Sequence, residues 1–337
     1  MACYEQAPTG FVMHIPDGLL SAPVCAASAT LSALAVAVAG ARSRALLGSR
    51  TVAWMGVTAA FVFAAQMMNF PVASGTSGHL IGGALAAALL GPSAAVIVMT
   101  AVLVLQCLVF GDGGLLALGA NVLNMAVLQP VVGFAVYRAL GGGSRAGGVR
   151  RITAVAFGSW VATVVAAATC AGELALSRVV APGPALAAMV GVHAVIGLGE
   201  AAIAAFVLAG VLRLRPALLE APEGRGATQA VGTASALALV ASLSLALFVS
   251  PFACKWPDGL ERVVEVLDIQ PSQARLALPA LLPRYAVPGV SAGWVTSLVA
   301  VAGTLLAFGV CGVLGACLAP RQASRIDASG VASASRS

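Results

Sequence analysis

The sequence predicts an all-α membrane protein, a polytopic helical bundle with a seven-span core and a two-span C-terminal unit. Three observations lead to this fold class. Hydrophobic residues make up 60% of the 337 residues and charged residues only 9%, whereas a typical soluble domain carries about 25% charged residues. Nine apolar stretches recur along the chain, and most arginines lie in short clusters between them. Such a chain needs a bilayer as its solvent, which excludes a soluble, disordered or disulfide-built protein.

The apolar stretches are the candidate membrane spans, since a helix needs about 20 apolar residues to cross a bilayer. They are residues 19–39, 51–68, 79–90, 92–110, 115–138, 152–172, 185–212, 232–250 and 293–318. The third stretch has only 12 residues and meets the fourth at Gly91-Pro92, a helix breaker followed by a residue that suits a helix start.

The distribution of basic residues predicts the orientation, because cytoplasmic loops carry an excess of Lys and Arg. When the loops alternate between the two sides and the N-terminus is outside, 13 of the 18 basic residues fall in cytoplasmic loops. This count requires the short third stretch to cross. We therefore expect an outer N-terminus, a cytoplasmic C-terminus and a multi-pass protein of a bacterial or archaeal cell membrane.

Changes in composition divide the chain into five parts. These are an extension at 1–12, a transmembrane core at 13–212, a cytoplasmic linker at 213–231, a two-span unit with an external loop at 232–319, and a tail at 320–337 that is predicted to be disordered. The linker is rich in charge, Pro and Gly, which favours a break between two packed units.

Two further classes of site receive no support from the composition. The seven cysteines are odd in number and contain no pair at the two-residue spacing of a thiolate metal site, so we interpret them as small buried residues. The net charge of +6 is not collected into one basic stripe, so no nucleic-acid partner is expected.

Ionisable groups in or beside membrane spans are costly and are therefore candidates for function. The chain has only three histidines. His14 precedes the first span and His79 opens the third on the same outer side, so both can reach one pocket. His193 lies seven residues before Glu200 on one predicted helix, and the two are expected to form a polar seam inside the bundle. The alternative for His193 is an ordinary hydrogen-bonded bundle residue.

Other polar residues lie where a lipid-facing helix would not carry them, namely Asp112, Asn121, Asn124 and Gln129. The alternative for each of these residues is that it forms an interhelical hydrogen bond that sets helix packing.

Four strings resemble the membrane substrate-capture component of cobalt and nickel transporters of the energy-coupling-factor type. They are MHIPDGLLS at 13–21, QMMNFPVASGTSGHLIGGALAA at 66–87, LVFGDGGLLALGANVLNMAV at 108–127 and HAVIGLGEA at 193–201. The string WPDGLE at 256–261 resembles the PDGLE domain of the small accessory component, which many such systems carry fused behind the capture component.

The resemblance implies a set of four nitrogen donors for a transported Ni²⁺ or Co²⁺. They are the free amine of Met13, the backbone nitrogen and imidazole of His14, and the imidazole of His79. Candidate supporting residues are Asp17, Ser77, Asp112, Asn121 and Asn124. A planar set of nitrogen donors suits nickel(II) or copper(II), the family also accommodates cobalt(II), and tetrahedral zinc fits poorly. Because the donors bind only when deprotonated, uptake should weaken as pH falls.

The sequence departs from the family pattern at its N-terminus. Twelve residues precede Met13, and an amide nitrogen there would remove the anchoring donor of the chelate. We predict that translation starts at Met13 or that the extension is removed, and mass analysis of the native protein tests this.

The resemblance also implies partners: a transmembrane coupling protein and cytoplasmic ATPase subunits as separate chains. The chain itself contains no G-x-x-x-x-G-K-[ST] loop, so ATP hydrolysis is expected in the partner chains. As a transporter component the protein is expected not to be an enzyme and to need no cofactor. The PDGLE unit either helps to load the capture component or is a passive loop. The square-planar donor set and the PDGLE domain slightly favour nickel over cobalt as the transported metal.

Two alternatives belong to other classes. Gly75-Thr76-Ser77-Gly78 with His193 as a base would suit an intramembrane serine protease, although so short a string is weak support. The polar groups in the spans would also suit a passive cation channel.

Overall fold

Eleven α-helices build the part of the chain that the structure, a computed structural model, describes: residues 14–47, 49–73, 75–143, 146–214, 225–270, 280–287, 289–290 and 293–319. The helices are α1 Ala22–Leu46, α2 Ser49–Gln66, α3 Gly83–Leu90, α4 Pro92–Leu105, α5 Leu118–Asn121, α6 Gln129–Ala139, α7 Gly148–Leu176, α8 Pro182–Leu214, α9 Arg225–Ser244, α10 Gly259–Val266 and α11 Gly293–Leu318. The extension at 1–12, Met13 and the tail at 320–337 lie outside the described residues.

Shorter elements connect these helices. Wider π-helical turns extend three of the spans, and two 3₁₀ turns lie in the C-terminal unit. They are the π turns Gln106–Phe110, Val122–Leu128 and Leu245–Val249, and the 3₁₀ turns Ser250–Phe252 and Pro283–Tyr285. The strands β1 (Phe70–Pro71) and β2 (Ser77–Gly78) pair antiparallel as a small hairpin before α3.

The predicted all-α membrane fold is confirmed. In the described residues, seven helical segments are long and apolar enough to cross a bilayer, and Thr51–Gln66 is a shorter apolar helix. Large apolar side chains such as Phe206, Phe248 and Trp294 are exposed on the outside of the bundle, as a lipid solvent permits. Helix α8 continues to Leu214 and α9 begins at Arg225, so both ends of the stretch predicted as a linker at 213–231 are helical.

The third predicted span differs most from its prediction. The helix expected over 79–90 begins only at Gly83, and its eight residues rise about 12 Å. Residues 79–82 are not helical, and Ile81 and Gly82 are buried inside the bundle. Non-helical backbone is tolerated at membrane depth only where protein groups satisfy its hydrogen bonds. The apolar pattern of 79–90 carries no information about those groups, so it could not reveal the break.

The C-terminal unit packs directly on the core. Helix α11 lies along α2 and also contacts α4, and α9 packs on α2 as well. Residues of both units form one apolar cluster, in which Phe63 and Phe110 contact Tyr285. On the other side of the core, α7 packs along α8 and α6. The C-terminal unit is therefore in a position to contribute residues to a site in the core.

Candidate metal-capture site

One cavity is lined by four of the predicted site residues, namely His14, His79, Asn121 and Asn124. It has a volume of about 80 Å³ and lies between the N-terminal segment, the loop before α3, helices α7 and α8, and the start of α10. Polar side chains that line it include His14, His79, Asn121, Asn124, His193 and Asp258. The structure thus places His14 and His79 on the same cavity.

The main chain next to His14 is held on both sides. Oδ1 of Asn121 accepts a hydrogen bond from the Ile15 N–H at 2.9 Å, and Nδ2 of Asn121 donates to the Ile15 carbonyl at 3.1 Å. The Gly114 N–H donates to the same carbonyl at 2.9 Å. Gly113 must lack a side chain, because a Cβ there would lie 2.8 Å from the Cβ of His14. This packing fixes where the His14 side chain starts.

Asp17 secures the far end of the same segment. Its Oδ1 accepts from the N–H groups of Leu116 at 2.8 Å and Ala117 at 3.2 Å. These groups precede α5, and a carboxylate at a helix start is electrostatically favourable. Asp17 does not line the cavity, so its contribution to the site is to position the N-terminal segment.

Asp112 links the His14 imidazole to the C-terminal unit. Nδ1 of His14 lies 2.9 Å from Oδ1 of Asp112, and the Tyr285 hydroxyl donates to Oδ2 at 2.7 Å. All three residues are buried. Burial, reinforced by the Asp112 carboxylate, raises the pKa of the Tyr285 phenol well above its ordinary value. The phenol therefore remains a hydrogen-bond donor and orients the carboxylate that orients His14.

His79 approaches His14 from the loop after the β hairpin. The two ring centroids are 6.3 Å apart, with an angle of 56° between the ring planes. Nδ1 of His79 lies 3.2 Å from the Leu80 carbonyl. Metal–imidazole bonds are about 2 Å long, so both rings are close enough to bind one ion between them.

The segment that carries His79 is held by Glu200 on α8. Its carboxylate accepts from the Ile81 N–H at 2.7 Å and the Gly82 N–H at 2.8 Å. It also accepts from Nε2 of Gln129 at 3.0 Å, while Oε1 of Gln129 accepts from the Ala84 N–H at 2.9 Å. The buried carboxylate of Glu200 and the buried amide of Gln129 thus accept hydrogen bonds from the main-chain N–H groups that lead into α3.

The polar seam predicted on α8 faces the bundle interior, but its two members have different contacts. Nδ1 of His193 lies 2.8 Å from the Met189 carbonyl and therefore carries the proton. Its other ring nitrogen lies on the side of the cavity where α10 begins, 2.9 Å from the position that a Cβ on Gly259 would take. Glu200 lies two helical turns away and accepts hydrogen bonds from the main chain of the segment that carries His79.

Asn124 connects the cavity to a second buried carboxylate. Its Nδ2 donates to Oε2 of Glu173 at 2.7 Å, and the Ser28 hydroxyl donates to Oε1 of Glu173 at 3.1 Å. The three side chains join α1, the π turn after α5, and α7. Asn124 therefore has the packing contact expected of an interhelical polar residue in addition to its place on the cavity wall.

Ser77 binds the C-terminal unit. Its hydroxyl donates to the Trp256 carbonyl at 2.7 Å and lies 3.3 Å from the Pro257 carbonyl, and its N–H donates to Pro257 at 2.8 Å. Among the described residues no hydrogen bond joins Ser77 to His193. The geometry therefore gives no support to a serine nucleophile with His193 as its base.

Asp258, Tyr285 and His193 are site residues that sequence reasoning did not place here. Asp258 is the N-cap of α10: its Oδ1 accepts from the Glu261 N–H at 2.7 Å, and the Asp258 N–H donates to Oε2 of Glu261 at 3.1 Å. The D-x-x-E spacing at 258–261 is a signal for this capping box. Burial raises the pKa of the Asp258 carboxyl to about 6, although the Glu261 N–H and the His14 imidazole oppose the shift.

Of the predicted donors, the described residues include the imidazoles of His14 and His79, which line this cavity, and the backbone nitrogen of His14, whereas Met13 lies outside them. Within them, no group of three or more His, Cys, Asp or Glu side chains is arranged to hold a metal ion. A site made of two imidazoles and two main-chain nitrogens needs no such group. Nε2 of His14 is buried without a hydrogen-bond partner in the described part of the chain, which leaves one nitrogen of that ring available.

Comparison with known families agrees with this architecture. The family described as "Cobalt uptake substrate-specific transmembrane region" matches residues 14–218, and the PDGLE domain matches residues 233–320. A putative fused nickel transport protein of Archaeoglobus fulgidus is 35% identical over 300 residues, which cover 87% of this chain and 95% of that protein. A fused nickel transport protein of Rhodobacter capsulatus is 35% identical over 221 residues, or 61% and 64% of the two chains.

Two solved structures are similar to part of this chain in sequence and in fold. A truncated transition metal transporter is 36% identical, with a TM-score of 0.53, and the match covers 60% of this chain and 99% of that one. A second transition metal transporter is 34% identical, with a TM-score of 0.54 and coverage of 60% and 93%. The chain is a multi-pass membrane protein that belongs to the cobalt uptake substrate-specific transmembrane family and carries a PDGLE domain behind the family region.

Proposed function

We propose that this protein is the substrate-binding membrane component of an energy-coupling-factor importer that captures Ni²⁺ or Co²⁺ and delivers it to the cytoplasm. The observation that carries the proposal is the convergence of His14 and His79, two of three histidines in the chain, on one cavity with their ring centroids 6.3 Å apart. The relatives described as nickel transport proteins support the same substrate class.

The proposed donors are the amine of Met13, the backbone nitrogen and imidazole of His14, and the imidazole of His79. The first three close a five-membered and a six-membered chelate ring, and the six-membered ring requires Nδ1 of His14. In the structure this atom contacts Asp112. Capture therefore includes a turn of the His14 ring by about 180° around its Cβ–Cγ bond, which brings Nε2 to the side that faces Asp112. The carboxylate would then orient the bound imidazole, as second-sphere carboxylates do in many metal sites.

ATP hydrolysis is assigned to partner chains. A transmembrane coupling protein and cytoplasmic ATPase subunits would supply it, since this sequence has no phosphate-binding loop. The protein itself is proposed to be a transporter component rather than an enzyme.

Metal uptake by reconstituted vesicles tests this assignment. The full chain together with its coupling and ATPase subunits should accumulate nickel or cobalt only when ATP is hydrolysed, because the chain has no energy source of its own. Uptake of each metal is measured separately, and we expect nickel to be preferred. Equal uptake by vesicles that hold this chain alone would contradict the proposal and favour a passive channel.

The amine donor makes a separate prediction about the start of the chain. Protein that begins at Met13 should bind nickel with the absorption of a square-planar nitrogen site, whereas protein that begins at Met1 should not, because an amide nitrogen at Met13 lacks the free lone pair. Both forms are compared by nickel titration after their N-termini are verified by mass spectrometry. Equal binding by the two forms would overturn the amine assignment.

A further inference from the structure

The C-terminal unit forms one wall of the capture cavity. The carbonyls of Trp256 and Pro257 accept hydrogen bonds from Ser77, two residues before His79. Gly259 packs against the His193 ring so closely that a Cβ there would lie 2.7 Å from its Cε1. Nearby, the Cys254 N–H donates to the Asn69 carbonyl at 2.8 Å. The PDGLE segment is thus bonded to the loop that carries one proposed ligand.

This contact places the Asp258 carboxylate against the cavity. Asp258 lines the cavity together with His14 and His79 and is only 4% exposed. Its hydrogen bonds run to the main chain at the start of its own helix, and no Lys or Arg side chain among the described residues forms an ion pair with it.

A carboxylate on the cavity wall would stabilise the captured cation in addition to Asp112, which contacts the His14 ring. Nickel(II) bound through one deprotonated main-chain nitrogen and three neutral nitrogens keeps a net positive charge. A buried charge is costly unless an opposite charge compensates it. The two imidazole ligands are neutral when they bind the metal, so the ligand set supplies no negative charge beyond that of the one deprotonated amide.

The other buried carboxylates have different positions. Glu200 accepts three hydrogen bonds from the His79 segment and Gln129, and Glu173 lies behind Asn124. Asp112 contacts His14 and Tyr285 from outside the cavity wall. Among the described residues, Asp258 is the carboxylate that lines the cavity.

We propose that the C-terminal unit completes the capture site, with Asp258 as the counter-charge of the captured divalent cation and the Trp256–Gly259 segment as the cover of the cavity. This inference rests on the function proposed above and adds a residue to it. The PDGLE unit would then take part directly in metal binding and would not be only a passive loop between two membrane-spanning helices.

The test is nickel binding by the purified full chain, begun at Met13, with Asp258→Asn as the main variant. Asn is as good an N-cap as Asp, so α10 is retained while the charge is removed. We expect the affinity for nickel to fall about 10- to 100-fold, the range found when groups next to metal ligands are removed. The absorption band of bound nickel should stay unchanged, because the four nitrogen donors remain.

Glu261→Gln is the matched control. It weakens the same capping box but does not alter a group on the cavity, so nickel affinity should remain that of the parent. Asp258→Ser, which also keeps an N-cap, repeats the charge removal if the Asn variant is poorly folded. The assignment of Asp258 as the counter-charge would be wrong if both Asp258 variants bound nickel with the parent's affinity. It would also be wrong if Glu261→Gln lost as much nickel affinity as the Asp258 variants.

His79→Ala, measured in parallel, separates this inference from the proposed function. If His79→Ala loses nickel and the Asp258 variants do not, the capture site stands and the role of Asp258 is wrong. If His79→Ala binds nickel as the parent does, the proposed capture site itself is wrong.

Discussion

His79→Ala is expected to abolish nickel binding while the protein remains folded and inserted. The substitution removes one of the four proposed nitrogen donors, so the loss should exceed the 10- to 100-fold that removal of a second-sphere group typically causes. The side chain is only half-buried, and the segment that carries it is held by Glu200 through main-chain N–H groups that the substitution leaves intact. Equilibrium dialysis with radioactive nickel measures the effect.

His193→Ala is the matched control for His79→Ala. His193 is a histidine on the same cavity, but it is not among the proposed ligands, so nickel binding should persist. His14→Ala should behave as His79→Ala does. If the His193 and His79 variants lose nickel equally, the effect arises from the shape of the cavity, and the assignment of His79 as a ligand is wrong.

Glu200→Leu is expected to cause the largest loss of stability. Its fully buried carboxylate accepts from the N–H groups of Ile81 and Gly82 and from Gln129. Leucine leaves these three donors unsatisfied, at about 1–3 kcal/mol for each. The variant should unfold at a much lower temperature in detergent or fail to accumulate. Glu200→Gln keeps one carbonyl acceptor, so its unfolding temperature should lie between those of the parent and Glu200→Leu.

Glu173 provides the comparison for this result. It is also a buried helical glutamate, but it accepts from the side chains of Ser28 and Asn124, which can turn to other partners. Glu173→Leu should therefore be less destabilising than Glu200→Leu and should retain more nickel binding. Thermal unfolding of all variants is measured at the same detergent and salt concentration. Equal shifts at the two positions would show that the unwound segment has no special dependence on Glu200.

Much of the membrane architecture could be predicted from the sequence, since the apolar stretches must be long enough to cross a bilayer wherever they lie. The resemblance carried by MHIPDG and the segment around His79 also anticipated the family. The sequence marks Asn121 as an unusual polar residue in a membrane span, but it does not show that Asn121 forms two hydrogen bonds with the main chain of Ile15. Spacing along one segment does not specify which distant main chain an amide will meet.

The sequence by itself determined that this chain is a helical membrane protein, where most of its apolar helices lie, and how few side chains are available to bind a metal. Only the tertiary structure decided that the third span is broken at 79–82 and that Glu200 satisfies its backbone. It also brought Tyr285 and Asp258 to the site across more than 170 residues of chain. The physical reason is that hydrophobic length is a local property, whereas satisfying a buried hydrogen bond or charge depends on partners that only packing brings together.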